Sequence, residues 1–570
     1  MAEEVWMLQT KKADFKQIGA RFRIDPVTAR IIRNRGIEGE AAIDRYLNGT
    51  LDDLYDPMLL KDMERAVSIL CEAVDTGKKI RIVGDYDIDG VCSTYILLQA
   101  FERLGSDVDF EIPDRIKDGY GINESIIEQA HADGVEVILT CDNGISAFHQ
   151  VELAKKYGMT VVITDHHEVP LDGEKEKIPP ADAVIDPKQA DCPYPFPEIC
   201  GAVVAYKLVQ VLYARRGVPR MEWLDLLEFA AIATVGDVMK LQDENRILVK
   251  YGLKKMAQTK NLGLRRLAEK NNLDLGAITA YHIGFVIGPC LNAGGRLKTA
   301  KEALALLRAQ SEEEAERLAE ELKELNDTRK DMTEQGTEAA KLQVESWYQE
   351  DKVLVVFLPE CHESLAGIIA GRLREYYQKP AIVLTRGEEA VKGSGRSIDE
   401  YHMFKKLTEV SDLLLKFGGH PLAAGLSLEE KNIDEFRRRL NENAGLTEED
   451  FKAKVWIDVP MPVGYVTEHL VRELSCLEPF GQGNEKPLFA EKSLRIRASR
   501  VLGRNRNVVK MTLEETDGHA IEALYFGDGT AFEEERAGRR EIDVVYYPDI
   551  NEYNERKTLR AVIRRYKFRG

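Results

Sequence analysis

The chain has 570 residues, and 44% hydrophobic against 31% charged residues describe about three or four folded domains and exclude a disordered or low-complexity protein. A formal charge of −18 argues against a polyanion held by overall charge, but binding follows local patches, and from residue 491 onward 17 Lys and Arg outnumber 14 Asp and Glu. No apolar run of about 18 residues occurs, Met1–Trp6 lacks a basic stretch ahead of an apolar one, and the eight cysteines form no CxxC pair, so neither a membrane span, a signal of that type, a zinc ribbon nor a disulfide framework is expected, and a reducing cytoplasm is.

Residues 1–75 read as mostly helical, with an amphipathic helix at Asp62 to Val74, and carry no visible chemistry. From Lys79, short apolar runs alternate with helix-sized stretches: Ile80 to Gly84, Val108 to Ile112, Val135 to Thr140, Thr160 to Thr164 and Ala183 to Ile185. That rhythm predicts βαβ units and a parallel sheet. The first run ends in Asp85, Asp87 and Asp89, ahead of a helix expected over Cys92 to Leu104 with Asp89 as its N-cap. Helical patterns fill Ala202 to about Asn271, followed by the Gly-rich Ile287–Arg296 and a long charged helix, Ser311 to Trp347, that is either a connector or a plain surface helix. A second α/β pattern runs from Lys352, with a helix at Ser364 to Tyr377, a strand at Ala381 to Thr385, and Gly-rich turns at Gly393–Ser397 and Gly418–His420. Beyond Val455, five short strands in about a hundred residues suggest a small barrel of OB type.

Like carboxylates close together repel and raise each other's pKa, so three at alternate positions where a strand stops call for a cation. Three further sites supply ligand types: Asp142 before Asn143-Gly144, Asp165-His166-His167 after the next strand, and Gly236-Asp237. Each alone is as well explained as a turn or a cap. Three of the four lie where strands of one sheet end, which is where open α/β folds place their ligands, and one His among several acids favours Mn²⁺ or Mg²⁺ over zinc. Asp186 reads as an ordinary turn residue.

In order, GDYDIDG, TCDNGIS, TDHHE and ATVGDVM resemble motifs I to IV of the DHH phosphoesterase superfamily. GPCLNAGGRL, HESLAGIIAGRL, GSGRSID, FGGHPLAAGLS and PFGQGNEKPLF are similar to the RecJ family of single-strand-specific 5′→3′ exonucleases. The resemblance implies an α/β protein with a DHH catalytic domain (76–305) after the N-terminal segment (1–75), a connector (306–350), a DHHA1-type substrate-binding domain (351–450) and an OB-like β-barrel (451–570). It implies two divalent cations, with Asp87 on one, Asp89, His166 and Asp237 on the other, and Asp142 between. His167 would touch the scissile phosphate, Asp165 would orient its neighbours, and Arg296 would lie near the cleft floor with His420. Arg115, Ser394 and Arg396 would take a 5′-phosphate, and Tyr120 would stack a base. In the barrel, Arg495, Arg497, Arg500, Arg504, Arg506 and Lys510 would hold single-stranded DNA, or would only be a solvated edge that blocks aggregation. Many superfamily members carry a His four residues before the first ligand Asp, where this chain has Val83, so weaker hold on the first cation is expected. Where the family usually has Trp-His-Glu-Gly, this chain has Cys361-His362-Glu363-Ser364.

The implied activity is two-metal hydrolysis that releases 5′-mononucleotides in DNA repair and recombination. A monomer is expected, with a single-strand-binding protein or a RecQ-type helicase as candidate partners. Two alternatives stay open: a DHH phosphodiesterase of cyclic dinucleotides or short oligonucleotides, and a non-catalytic replication scaffold.

Overall fold

Residues 4–553 and 556–569 are described by a computed structural model, in which the five apolar runs after Lys79 form one sheet. Strands β1 (Ile80–Val83), β2 (Val108–Glu111), β3 (Val137–Cys141), β4 (Thr160–Thr164) and β5 (Ala183–Ile185) are all parallel, in the order β2-β1-β3-β4-β5. The central strands are buried and mostly apolar because both faces are covered, and β1 admits Arg81 only paired with Asp109 and Asp133. Val83, Ile138, Val161, Ile163 and Val184 share a core on one face. The order reverses between β1 and β3, so the crevice at their carboxyl ends is the switch point at which such sheets bind ligands.

Helix α1 begins earlier than the sequence suggests. It spans Ile88–Arg103, and Asp87 rather than Asp89 caps it, with Asp87 Oδ1 accepting the N–H groups of Asp89 (3.0 Å) and Gly90 (3.1 Å). The turn after β1 needs only Gly84 to Tyr86, so the helix starts as soon as Asp87 reaches extended backbone. Asp89 is thereby freed to face α2 (Gly201–Arg216). The Gly-rich Gly288–Leu297 is helical, continuing Ala280–His282 and a π turn at Ile283–Ile287. Its glycines serve close approach: a Cβ on Gly295 would lie 2.3 Å from the Tyr86 carbonyl oxygen.

The long charged helix α3 spans Glu312–Trp347, capped by Ser311, and buries Leu318, Leu322, Ala340 and Val344 along one side. The next sheet has β6 (Leu354–Phe357), β7 (Ala381–Arg386), β8 (Val391–Arg396), β9 (Leu414–Gly419) and β10 (Ala423–Leu428) in the order β9-β10-β8-β7-β6, with helix α4 (Glu363–Tyr377) between β6 and β7. Alternate residues of β6 and β7 enter two cores, Leu354, Val356, Ala381 and Val383 on one face and Val355, Ile382 and Leu384 on the other. Gly393 to Arg396, read from sequence as a turn, belongs to β8. A Cβ on Gly393 would come within 2.5 Å of Leu384, so glycine there marks crowding between strands and not a bend. These elements belong to one unit, Tyr55–Met239 with Leu248–Ala453.

The second unit combines Val5–Leu54, Lys240–Ile247 and the chain from Lys454. Strands β11 (Phe489–Leu502), β12 (Val508–Glu514), β13 (Ala520–Phe526), β14 (Glu541–Tyr553) and β15 (Arg556–Phe568) run β11-β12-β13-β15-β14, and β14 returns to pair with β11, closing a five-stranded barrel. Val459–Pro460 adds a short parallel strand to β11. Ile31, Ile32, Ile43 and Tyr46 of the N-terminal helices share the barrel's core with Phe489, Val509 and Tyr546. Among the described residues, no helix is long and apolar enough to cross a membrane.

Candidate metal centre and phosphate pocket

The loops after β1, β3 and β4 and the end of the helix Leu227–Gly236 bring their acids together. His166 Nε2 lies 3.1 Å from Asp142 Oδ1, 3.5 Å from Asp89 Oδ2 and 3.8 Å from Asp237 Oδ2. Ligand atoms of Asp89, His166 and Asp237 all fall within 4.8 Å of one another, and so do those of Asp85, Asp87 and Asp142. Asp142 therefore stands between two sets. The N-terminus of α2 faces Asp89, whose carboxylate accepts the N–H groups of Gly201 (2.7 Å) and Ala202 (2.8 Å). Asp142 is held in the left-handed region, φ 61°, a conformation that Asp adopts more readily than most residues.

The carboxylates of the cluster act on one another. Burial, then the carboxylates of Asp89 and Asp87, push Asp142 well above its ordinary range and Asp237 up to about 8. Burial and Asp87 do the same to Asp85. His166 is lowered by burial, and its buried Nδ1 has no hydrogen-bond partner. Neutral imidazole with carboxylates that would otherwise be driven to protonate is a donor set for hard divalent cations, and oxygens with one nitrogen suit Mn²⁺ or Mg²⁺. The residues present fit such ions.

Asp165 points away from this cluster and works on its neighbours. Its Oδ1 accepts the backbone N–H of His166 (2.7 Å) and of His167 (3.2 Å) and the His167 Nδ1–H (2.7 Å), while Oδ2 accepts the Ile145 N–H (2.9 Å). Burial opposes its charge, but these bonds outweigh it and hold the carboxyl below the usual range. Burial likewise works against a charge on His167, yet Asp165 raises it to about 9. The Tyr120 hydroxyl donates to the Asp142 carbonyl (2.6 Å) and sits 3.0 Å from His167 Nδ1, leaving its ring half exposed. Asp186 is more than a turn residue: it is buried, and burial with the Asp165 charge pushes it to about 7.

Tyr86, flanked by Asp85 and Asp87, lines a cavity of about 400 Å³ with Arg115, Arg296, Glu363, Ser364, Gly367, Ser394 and Arg396. The Arg115 guanidinium lies 4.5 Å from the centre of the Tyr86 ring, Arg396 Nη1 donates to Ser394 Oγ (3.1 Å), and Arg296 Nη1 donates to the Ser364 carbonyl (2.9 Å). Burial and the neighbouring Arg115 and Arg329 lower Arg296 to about 10, and burial and Arg115 lower Arg396. Crowded, desolvated guanidinium groups suit an anion with several acceptor oxygens. His420 is exposed on the turn after β9, near enough to Glu168 to add to the lowering that Lys188 imposes on that carboxyl.

In the barrel, Arg495 and Arg497 alternate with buried Leu494 and Ile496, and a bulge before Ala498 leaves Arg500 exposed as well. Arg504 and Arg506 lie on the β11–β12 turn, where Arg506 Nε donates to Thr530 Oγ1 (2.9 Å). Arg497 is bound to Glu514 and Lys510 to Glu522, so these two are already neutralised. The alternation of Asp85, Asp87 and Asp89 marks the cluster in the sequence, but the resemblance gives Asp85 no ligand role, whereas its ligand atom lies with those of Asp87 and Asp142; Tyr86, between two of these acids, has no signal of its own in the sequence. Val83 is fully buried in the core.

Three family models match the chain: a DHH family N-terminal domain over residues 79–234, a DHHA1 domain over 350–445 and a RecJ OB domain over 457–565. The single-stranded-DNA-specific exonuclease RecJ of Bacillus subtilis (strain 168) is 36% identical over 564 residues, covering 98% of this chain and 70% of its own length. A crystal structure of RecJ in complex with Mn²⁺ from Thermus thermophilus superposes with a TM-score of 0.84 at 28% identity, covering 99% of this chain and 80% of that one. Its Mg²⁺ complex gives 0.77 at 27% identity, covering 99% and 78%.

Proposed function

The chain belongs to the RecJ family of single-stranded-DNA-specific exonucleases, and we propose that Asp89, His166 and Asp237 hold one divalent cation, Asp85 and Asp87 a second, and that Asp142 bridges them. The chain is a metal-dependent 5′→3′ exonuclease acting on single-stranded DNA in repair and recombination, with Mn²⁺ or Mg²⁺ as cofactor. Such cations, when bound, polarise the phosphoryl oxygens and make a water nucleophilic at neutral pH.

The observation that carries the division of labour is the position of Tyr86. It lines the arginine cavity while the residues on either side of it, Asp85 and Asp87, belong to the carboxylate cluster. A terminal phosphate held by Arg115, Arg296, Arg396 and Ser394 would therefore bring the phosphodiester that follows it toward the cluster. His167, kept in orientation and charged by Asp165, faces the negative charge that develops on the scissile phosphate. Water adds to the phosphorus between the first two nucleotides, the P–O3′ bond to the first nucleotide breaks, a 5′-mononucleotide leaves with its new 3′-hydroxyl, and the shortened strand moves up with that phosphate as its new 5′ end. Tyr120 offers its half-exposed ring to a base, and His420 lies near the cleft floor. Arg495, Arg500, Arg504 and Arg506, with Arg497 once released from Glu514, line the path of the strand over the barrel. In domain terms, 76–305 is catalytic, 351–450 binds the 5′ end and 451–570 holds the strand. A monomer in the cytoplasm, working beside a single-strand-binding protein or a RecQ-type helicase, completes the reading; eight free cysteines suit a reducing compartment.

The test is purified protein with Mn²⁺ on 5′- and 3′-labelled single-stranded and blunt duplex oligonucleotides. Mononucleotides should leave from the 5′ end of single strands, and Asp142→Ala should lower the rate by more than about 100-fold. Release from the 3′ end, equal attack on duplex, or an active Asp142→Ala would overturn the assignment.

A further inference from the structure

The continuous helical run Ala280–Leu297, which carries Arg296 near its end, begins with two exposed aromatic rings that take no part in the metal centre or the phosphate pocket. Tyr281 is 62% and Phe285 67% exposed, and their rings stack with centroids 4.7 Å apart at 27°. Aromatic residues four apart on a helix usually mark its buried face. Here the buried face is another one: Ile283 and Ile287 are fully buried, while Gly284 and Gly288 allow close contact, their Cβ positions lying 3.6 Å from Val235 and 3.3 Å from Ile88. Val235 precedes Asp237 by two residues, and Ile88 stands between Asp87 and Asp89. The π turn and the residue after it thus pack on side chains from the segments that carry the carboxylate cluster, and π turns inside helices recur at functional sites. Val238, directly after Asp237, is also exposed (66%) and sits at φ 56°, a strained conformation for a β-branched residue.

One helical run therefore passes three stations. Arg296 lines the phosphate pocket at its far end, Gly288 abuts the cluster in the middle, and the ring pair stands at its start. From Arg296 to Phe285 the rise is roughly 16 Å at 1.5 Å per residue. At the roughly 3.4 Å per nucleotide of one strand of a duplex, that separation corresponds to about five nucleotides, and to fewer in an extended strand. A flat apolar ring pair at this distance suits a base and not a phosphate, since stacking on aromatic faces is how single strands are held without regard to sequence.

We propose that Tyr281 and Phe285 form a stacking platform for a base of the retained strand, about three to five nucleotides from its 5′ end. The inference rests on the 5′-exonuclease assignment. It is tested with the full chain, the Tyr281→Ala/Phe285→Ala variant and a Phe285→Trp variant, on a 5′-phosphorylated 20-mer and on the same strand with abasic sites at positions three to five. For the double alanine variant KM on the normal strand should rise about tenfold or more, with kcat within twofold of the parent, while Phe285→Trp stays close to the parent. The abasic strand should cost the parent the same tenfold and the alanine variant nothing further. Equal KM for parent and alanine variant would overturn the platform. So would a variant whose loss on the abasic strand matches its loss on the normal one, which would mark the rings as a structural feature or a protein-docking face. Thermal melting of the variant within a few degrees of the parent shows that folding is not what was measured. A parent that fails to degrade single strands from the 5′ end sinks the underlying assignment, and the platform with it.

Discussion

Glu491 and Glu515 in the barrel unit lie against the start of the short helical turn Val463–Tyr465, Glu491 accepting the Val463 N–H (2.6 Å) and Glu515 the Gly464 N–H (2.8 Å). Burial, and then the charge and hydrogen bond of Glu515, raise Glu491 to about 7 from an ordinary 4.5, against the pull of the Val463 N–H. The folded state therefore keeps a proton that the unfolded chain releases. The stabilisation is complete below about pH 4.5 and is lost as pH rises through about 7. Because the pair is half exposed, solvent screening reduces the effect to roughly 1 kcal/mol. Glu491→Gln keeps a neutral acceptor for Val463 and a donor for Glu515, so it should gain about that much at pH 8 and nothing at pH 5. Urea unfolding at the two pH values measures the difference. Parallel pH profiles for the two proteins would show that Glu491 is already charged.

Elements were legible in the sequence where one pattern decides them. The runs from Ile80 to Ile185 are mostly apolar where their strands are covered on both faces, and the acids that follow them could be placed at one edge on that basis. The start of α1 was not, since Asp87 and Asp89 both qualify as caps and only the shortness of the turn after β1 selects Asp87. Gly288–Leu297 and β8 were obscured because glycine breaks regular structure in isolation but is needed where two backbones meet. Least legible was Lys240–Ile247, whose partners lie some 230 residues away in sequence. Arg246 is buried there over the Tyr46 ring, 3.9 Å from its centre, and donates to the carbonyls of Cys476 (2.7 Å), Leu477 (2.8 Å) and Tyr46 (3.1 Å). It closes the carboxyl end of the helical turn Leu474–Leu477. Arg246→Leu removes the donor to the Cys476 and Tyr46 carbonyls, while the Leu477 carbonyl keeps the Asn484 amide (2.8 Å), and should destabilise this unit by about 2–4 kcal/mol, with Arg246→Lys losing less because one ammonium replaces part of the fork. Denaturant melts of the two variants decide this, and a leucine variant as stable as the parent would mean that water takes over the carbonyls.

At the scale of the whole molecule, a protein of charge −18 has to bind a polyanion. Its overall field opposes approach, so affinity must come from short-range contacts with cations that have no acid of their own. In the first unit the crowded arginines around the Tyr86 cavity meet that description. In the barrel, the pairing of Arg497 with Glu514 and of Lys510 with Glu522 removes two of the six candidates. Arg495, Arg500 and Arg504 are exposed, with no ion pair among the described residues. Each phosphate contact on a single strand contributes about −0.7 to the slope of log K against log salt. Replacing Arg495, Arg500 and Arg504 together by Ala should therefore flatten that slope by about 2 and weaken binding of a long single strand most at low salt. Lys510→Ala, which removes a charge already spent on Glu522, should leave the slope within a few tenths of the parent. Fluorescence anisotropy of a labelled strand between about 50 and 200 mM salt, at matched protein concentrations, reads both. An unchanged slope in the triple variant would assign the strand's electrostatic hold to the arginines of the phosphate pocket and reduce the barrel's basic edge to a solvated, aggregation-resistant border.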